Sequence, residues 1–247
     1  EIYQCDWSSD VCSSDLRSYD LRHVQGVFSK NCNPRDLLIG KNRRQNRLQT
    51  NTMNKSAIPK LKGLILAGGR SDRMGRDKGL IDWHGKPQRE YLADLLESLG
   101  LETYISCRPD QAKDLPGRKL IVDVIPDQGP LGALHAAFSA DTEAAWLVVA
   151  CDMPLVDKEA VDFLLKNRNP AAVATAFRAP AFDDVSPDPL FAIWEPGIFS
   201  LIKKRLDTGQ RSTQKTLIAA GVQVIEARQP ERLANVNTPE ELHSLER

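Results

Sequence analysis

"KGLILAGGRSDRMGRDK", residues 62–78, runs a short aliphatic stretch into Gly68, Gly69 and Gly75, with Arg70, Arg73, Arg76 and Lys78 interleaved. An apolar run bounded by glycines reads as a buried strand followed by a loop. Glycines lack a Cβ, so successive N–H groups can converge on anionic oxygens, and the four cations add charge that amide dipoles alone do not supply. That combination suits a polyphosphate better than the alternative, a glycine-rich turn with solvated arginines. Spacing excludes the two commonest phosphate loops. A Walker A loop needs Lys and a hydroxyl residue directly after its last glycine, where this chain has Arg76 and Asp77. A Rossmann turn needs G-x-G-x-x-G, whereas Gly68 and Gly69 are adjacent and five residues separate them from Gly75.

Downstream, short apolar runs alternate with helical patterns, which predicts βαβ units and a mostly parallel sheet in a three-layer α/β/α domain. Strands are predicted at 62–67, 102–107, 119–124 and 145–150, then within "AAVATAF" (171–177) and "LFAIW" (190–194). Tyr91, Leu92, Leu95, Leu96 and Leu99 share one helical face that stops at Gly100, a natural C′ residue. Leu131, Leu134, Ala137 and Phe138 repeat the pattern, and Asp157 can cap a helix carrying Val161, Leu164 and Leu165. Ser212 and Thr238 read as N-caps of two later helices, the second with Pro239 at its first position and Glu241 completing a capping box.

The chain has 247 residues, 41% of them hydrophobic, enough for one domain with a sizeable core plus a tail. Thirty-three basic residues balance thirty-three acidic ones, so no overall field favours nucleic acid or an anionic membrane. No run approaches the roughly 18 apolar residues that span a bilayer, and no basic-then-apolar leader opens the chain, so the expected compartment is the cytoplasm. Cysteines 5, 12, 32, 107 and 151 form no CxxC pair, and Cys107 and Cys151 read as small buried hydrophobes. Residues 1–52 carry no sustained apolar period, and their opening "CDWSSDVCSSDL" resembles translated sequencing adapter. They are expected to be an artefactual or disordered extension, with Met53 a plausible start and the domain over 60–247. The competing reading is a natural disordered arm whose arginines bind a partner.

"VVACDMPLV" places Asp152 just past the carboxyl end of a predicted strand, where open α/β sheets bind ligands. A hard carboxylate there suits magnesium, which takes oxygen ligands while bridging phosphates; the plainer alternative is an Asp capping the turn with Pro154. In "IVDVIPDQGPLGAL", Gly129, Pro130 and Gly132 shape a turn into a helix N-terminus, whose unpaired N–H groups can meet a base carbonyl or ribose oxygen. His84, in "IDWHGKP", reads as an ordinary turn residue, because an acceptor phosphate already carries its charge and needs no strong base.

"LAGGRSDRMGRDK" and "CDMP" together resemble the signature of the MobA-like nucleotidyltransferase family, which includes molybdenum cofactor guanylyltransferases and, more distantly, sugar-phosphate and isoprenoid nucleotidyltransferases. The resemblance spans nearly all of 60–247 and implies a Rossmann-like sheet of the nucleotide-diphospho-sugar transferase type. It implies that the main chain of Leu66, Ala67, Gly68 and Gly69 meets the nucleotide, that Lys78 is the catalytic cation with Arg73 second, and that Asp152 holds Mg2+. It also implies a base or ribose contact from Asp123, with Asp127 the alternative, beside Gly129 and Pro130. Arg108 falls where the family often has Asn-Arg, but Cys107 replaces that Asn and leaves base choice open between GTP and CTP. "NVNTPEEL" resembles the family's ending, which brings Asn237 or Asn235 toward the metal, or else simply caps the last helix. Arg211 and Lys215 are weak candidates for the acceptor phosphate. The implied reaction transfers GMP from GTP to the phosphate of molybdopterin. Alternatives are cytidylyl transfer, a sugar or polyol phosphate acceptor, or a nucleotide-binding module without turnover. Transient contact with molybdoenzyme or cofactor-delivery proteins is the implied protein partnership.

Overall fold

In the computed structural model, residues 58–69, 77–123, 128–179 and 186–236 are described, all within the unit Met53–Arg247. The expectations for residues 1–52, Arg70, Arg73, Gly75, Arg76, Asp127, Asn237 and Thr238 lie outside the described residues. Strands are β1 Leu61–Leu66, β2 Glu102–Cys107, β3 Leu120–Val122, β4 Ala145–Ala150, β5 Ala174–Arg178, β6 Pro187–Trp194 and β7 Gln223–Ile225. They form one sheet in the order β3-β2-β1-β4-β6-β5-β7. Only β6 runs against its neighbours; every other pairing in this sheet is parallel.

Among the described residues five α-helices cover the sheet: α1 Gln88–Ser98, α2 Gly129–Ala140, α3 Lys158–Lys166, α4 Phe199–Asp207 and α5 Thr213–Ala220. Successive strand residues face opposite ways, so Leu64 and Ile65 enter different cores. Leu64, Trp146, Val148 and Ala192 pack with Leu131, Leu134 and Phe138 of α2, Ile202 of α4 and Leu217 of α5. Ile65, Ile105, Leu147 and Ile193 pack with Leu92 and Leu96 of α1 and Val161 and Leu164 of α3. The result is the expected three-layer α/β/α fold. All six residues of β4 are buried, since helices cover both faces of a central strand, and this is why it reads as one unbroken apolar run.

The local signals act as expected at several points. Asp157 accepts a bond from the N–H of Ala160 at 3.0 Å, Ser212 accepts from Lys215 at 3.2 Å, and Gly100 follows α1 with φ of 81°. Four elements differ from expectation. β3 is confined to Leu120–Val122 at the sheet edge, β6 begins at Pro187 rather than Leu190, and α4 and β7 had no predicted counterparts. Pro187 is tolerated at a strand's first residue, where its missing N–H breaks no ladder bond.

Candidate active site

The parallel register puts Leu66, the last residue of β1, level with Ala150, the last of β4. The glycine loop and the Asp152 turn therefore leave adjacent strands at the same height, and Cys151 N–H donates to Leu66 O at 3.2 Å. The chain returns from the loop through a 3-10 turn at Lys78–Leu80, which Asp77 caps by accepting from Gly79 N–H at 2.9 Å. This brings Lys78 Nζ to 3.4 Å from Asp152 Oδ2, across 74 residues of sequence. Leu66, Gly69, Lys78, Pro130, Asp152 and Leu190 line one open cleft of about 170 Å³. The loop, the carboxylate and the α2 turn thus share a cavity.

Burial pushes the Asp152 carboxyl above the ordinary carboxylate range, and the Lys78 ammonium pulls it back. Its Oδ1 is buried with no hydrogen-bond partner among the described residues. A buried acceptor left unpaired costs free energy unless a ligand supplies the partner. Sequence reasoning missed a second carboxylate, Asp188. β6 runs antiparallel to β4 with Val149 opposite Phe191, so the first residues of β6 lie toward the carboxyl end of β4, and Asp188 is near enough to Asp152 to feel its charge. Asp188 is 5% exposed and accepts from Leu190 N–H at 2.8 Å; burial raises its carboxyl, and the Asp152 charge adds to the effect. The only clue in the sequence was a carboxylate set between two prolines at the head of an apolar run.

No cluster of three or more His, Cys, Asp or Glu suited to a metal occurs among the described residues. The donor set fits magnesium in the manner usual for phosphate-transfer sites, with one or two carboxylates completed by water and phosphate oxygens. Asp152 Oδ1 is the available protein donor.

Asp123, Gly129, Arg108, Arg211, Lys215 and Asn235 are not among the residues that line this cleft. Asp123 donates its N–H to Cys107 O at 2.9 Å, and its Oδ2 lies 3.4 Å from where a Cβ on Gly132 would stand, so it borders the first turn of α2. Gly129 opens that helix with φ of 59°. Arg108 reaches back to the loop, donating from Nη1 to Gly68 O at 3.0 Å and to Gly69 O at 2.9 Å. Gln214 of α5 donates to Pro187 O at 3.5 Å, and Arg211 and Lys215 are exposed before and within the same helix. Asn235 is exposed, and the next residue, Val236, donates to Asp152 O at 2.8 Å, so the chain's later segment does return to this carboxylate. His84 stacks on Tyr91 with ring centroids 3.8 Å apart and lies 3.0 Å from Pro154 O, a structural contact as expected for a turn residue. Cys107 and Cys151 are buried, and burial pushes both thiols up.

A glycine-rich turn and a buried carboxylate meeting at the carboxyl edge of a mostly parallel sheet form a site where open α/β folds bind their ligands. The MobA-like NTP transferase domain matches residues 63–225, and the chain belongs to that nucleotidyltransferase family. It is 35% identical over 190 residues to a molybdenum cofactor guanylyltransferase of Pseudomonas putida, covering 75% of this chain and 97% of the relative. A second relative of that description, from Pseudomonas paraeruginosa, is 35% identical over 197 residues, 76% of this chain and 96% of its own. Among solved structures, molybdopterin-guanine dinucleotide biosynthesis protein A from Archaeoglobus fulgidus superposes with a TM-score of 0.62 at 23% identity, covering 74% of this chain and 95% of that one. The likeness in structure supports the fold assignment.

Proposed function

We propose that this protein transfers GMP from GTP to the phosphate of molybdopterin, releasing pyrophosphate and forming the guanine dinucleotide cofactor. The observation that carries this reading is the common cleft in which Lys78 Nζ and Asp152 Oδ2 approach to 3.4 Å beside Gly69 and Pro130. The choice of guanosine and molybdopterin is supported by the guanylyltransferase relatives, of which this chain spans 97% in the first case.

In the reaction an acceptor phosphate oxygen attacks the α-phosphorus of GTP, and the bond to the β-phosphate breaks. Leu66, Ala67, Gly68 and Gly69 present main chain to the triphosphate, and Lys78 offsets charge gathering on the departing pyrophosphate, an electrostatic contribution that needs no reorganisation during the step. Magnesium, when bound, supplies charge neutralisation and alignment of the phosphate oxygens. Asp152 would hold that ion through Oδ1, with Asn235 or Asn237 from the returning segment as further candidates. Asp123, Gly129 and Pro130 face the base and ribose, with Arg73 a second cation for the phosphates. Exposed Arg211 and Lys215, before and within α5, suit the acceptor phosphate. We take the cytoplasm as the compartment of action, with product passed on by transient contact with molybdoenzyme or cofactor-delivery proteins.

Pyrophosphate release measured with each of the four NTPs, magnesium and molybdopterin tests the reading. GTP should turn over fastest. Turnover with CTP alone would move the assignment to cytidylyl transfer, and tight GTP binding with no pyrophosphate for any acceptor would leave only a binding module.

A further inference from the structure

The glycine loop leaves the sheet at Ala67 and rejoins described chain at Asp77, one residue before Lys78. Both ends are tied to a single side chain that belongs to neither. Gln111, only 4% exposed, follows β2 and donates from Nε2 to Ala67 O at 3.1 Å and to Asp77 Oδ2 at 2.6 Å. Its Oε1 accepts from Arg108 N–H at 2.9 Å, so the amide's orientation is fixed by what it meets on both sides. Asp77 is held a second time, by fully buried Arg89, whose Nη1 lies 3.9 Å from the same Oδ2. Its other oxygen caps Gly79 and so begins the turn that carries Lys78.

Arg108 completes the arrangement from behind. Its Nη1 bonds the carbonyls of both Gly68 and Gly69, while its Nε and Nη2 are taken by Asp110 at 3.1 and 3.2 Å. In a planar trans peptide the N–H points opposite to the C=O. Holding the Gly68 carbonyl toward Arg108 therefore turns the Gly69 N–H the other way, as a main-chain anion site requires.

We propose that Gln111, with Arg108 behind it, is a positioning residue for nucleotidyl transfer. It clasps the two stems of the phosphate loop so that Lys78 stands opposite Asp152 before nucleotide arrives. The role rests on reading this segment as the triphosphate loop. It is distinct from base recognition, because Gln111 is buried beneath the loop and Arg108 is committed to loop carbonyls. Closing the loop in advance removes an ordering cost that binding would otherwise bear.

The test compares Gln111→Leu, Gln111→Glu and the double change Asp77→Asn with Gln111→Glu in the full chain. Gln111→Leu removes both ties at similar volume. Gln111→Glu sets its carboxylate against the Asp77 carboxylate and the Ala67 carbonyl. The double change swaps donor and acceptor across the contact and re-forms it. For Gln111→Leu we expect kcat/KM for GTP to fall by roughly 10- to 100-fold, the scale of an ångström misplacement in a catalytic site. Binding of a fluorescent GTP analogue should weaken, and amide exchange should accelerate at 66–69 and 77–79 while β4 stays protected. Gln111→Glu should lose more, and the double change should recover part of that loss. Wild-type kinetics and loop exchange in Gln111→Leu would overturn the clasp. So would loss of β4 protection in step with the loop, or a double change no better than Gln111→Glu alone. If the wild-type protein released no pyrophosphate with any NTP, the functional reading would fail, while the exchange comparison would still decide the clasp.

Discussion

The two edges of one parallel sheet use charge in opposite ways. At the amino edge, Glu102 accepts from Lys119 at 2.6 Å, Lys60 at 2.8 Å and Tyr104 at 2.9 Å, and Lys62 pairs with Asp141 at 2.7 Å. Nearby, Arg168 grips Glu195 at 2.7 and 3.0 Å and also donates to Pro59 O at 2.9 Å. At the carboxyl edge the Lys78 to Asp152 approach is 3.4 Å, Asp152 Oδ1 has no partner among the described residues, and Asp188 stands beside it with like charge. Opposite charges in the first region hold the carboxyls of Glu102 and Asp141 below the ordinary range, whereas burial pushes those of Asp152 and Asp188 above it. One edge has met its electrostatic needs internally. The other is built so that a ligand meets them, which is the pattern of a functional site.

Breaking the carboxyl edge should cost most. Asp152→Ala is expected to lower the rate of pyrophosphate release by about 100-fold or more, the scale of losing one aligned electrostatic contact in a catalytic site. A folded Asp152→Ala protein with near-normal turnover would remove the proposed metal position. Asp152→Asn should show the counterpart in stability. A carboxyl whose folded pKa is raised costs stability when ionised, so the penalty is absent below the unfolded value of about 4 and grows as pH rises through the raised one. Melting of Asp152→Asn at neutral pH should therefore exceed wild type by a few degrees, on a scale of about 2–4 °C per kcal/mol for a domain of this size. That gain should shrink as pH falls toward 4, and a variant less stable than wild type at every pH would contradict it.

Lys78→Ala comes next, with a rate loss of about 100-fold from the same kind of electrostatic contact. It carries a second expectation. Lys78 is the cation that pulls the Asp152 carboxyl down, so removing it should push that carboxyl further up. Mn2+ binding in the presence of GTP, which needs the ionised carboxylate, should then fall off at a higher pH than in wild type. An unshifted acid limb would separate the two residues that the 3.4 Å approach joins.

A smaller effect is expected at the α2 turn. A Cβ on Gly132 would lie 2.6 Å from Gln128 Cβ and 3.4 Å from Asp123 Oδ2. Gly132→Ala must displace Gln128 or Asp123, which we propose face the nucleotide, and overpacking of this kind costs about 1–3 kcal/mol. KM for GTP should rise by about tenfold with kcat little changed. An unaltered KM would show that this turn does not face the nucleotide.

The same contrast explains what could be read in advance. β4 falls on its expected residues because a strand buried on both faces is a continuous apolar run, β2 keeps its expected bounds although Glu102, Thr103 and Ser106 interrupt its apolar pattern, and α1 is legible from Leu92, Leu96 and Gly100. β7 is three half-buried residues at the sheet edge, Gln223, Val224 and Ile225, with too little apolar pattern to announce a strand. In the proposed site, Asp152 and Lys78 could be singled out because each sits in a local motif with its own chemistry. Asp188 and Gln111 were not, since their roles arise from antiparallel register and from a contact 44 residues away in sequence. No local spacing encodes either.

The amino edge supplies the smallest expected effect and the control for the rest. Glu102 belongs to β2, whose other end leads to Arg108 and Gln111, so a change there could in principle travel along the strand to the loop. Its partners are Lys60, Lys119 and the Tyr104 hydroxyl, on or next to the amino ends of β1, β2 and β3, and such exposed pairs contribute little in water. Glu102→Gln should leave kcat and KM at wild-type values. Because its carboxyl is held below the ordinary range, its stabilising contribution is present above the unfolded value of about 4 and is lost as pH falls toward the lowered one. The variant's melting curve should therefore lie slightly below wild type at neutral pH and converge with it in acid, opposite in sign to Asp152→Asn. A change in KM for GTP in Glu102→Gln would mean that the two edges are mechanically coupled through β2, and that the site depends on more of the sheet than its carboxyl end.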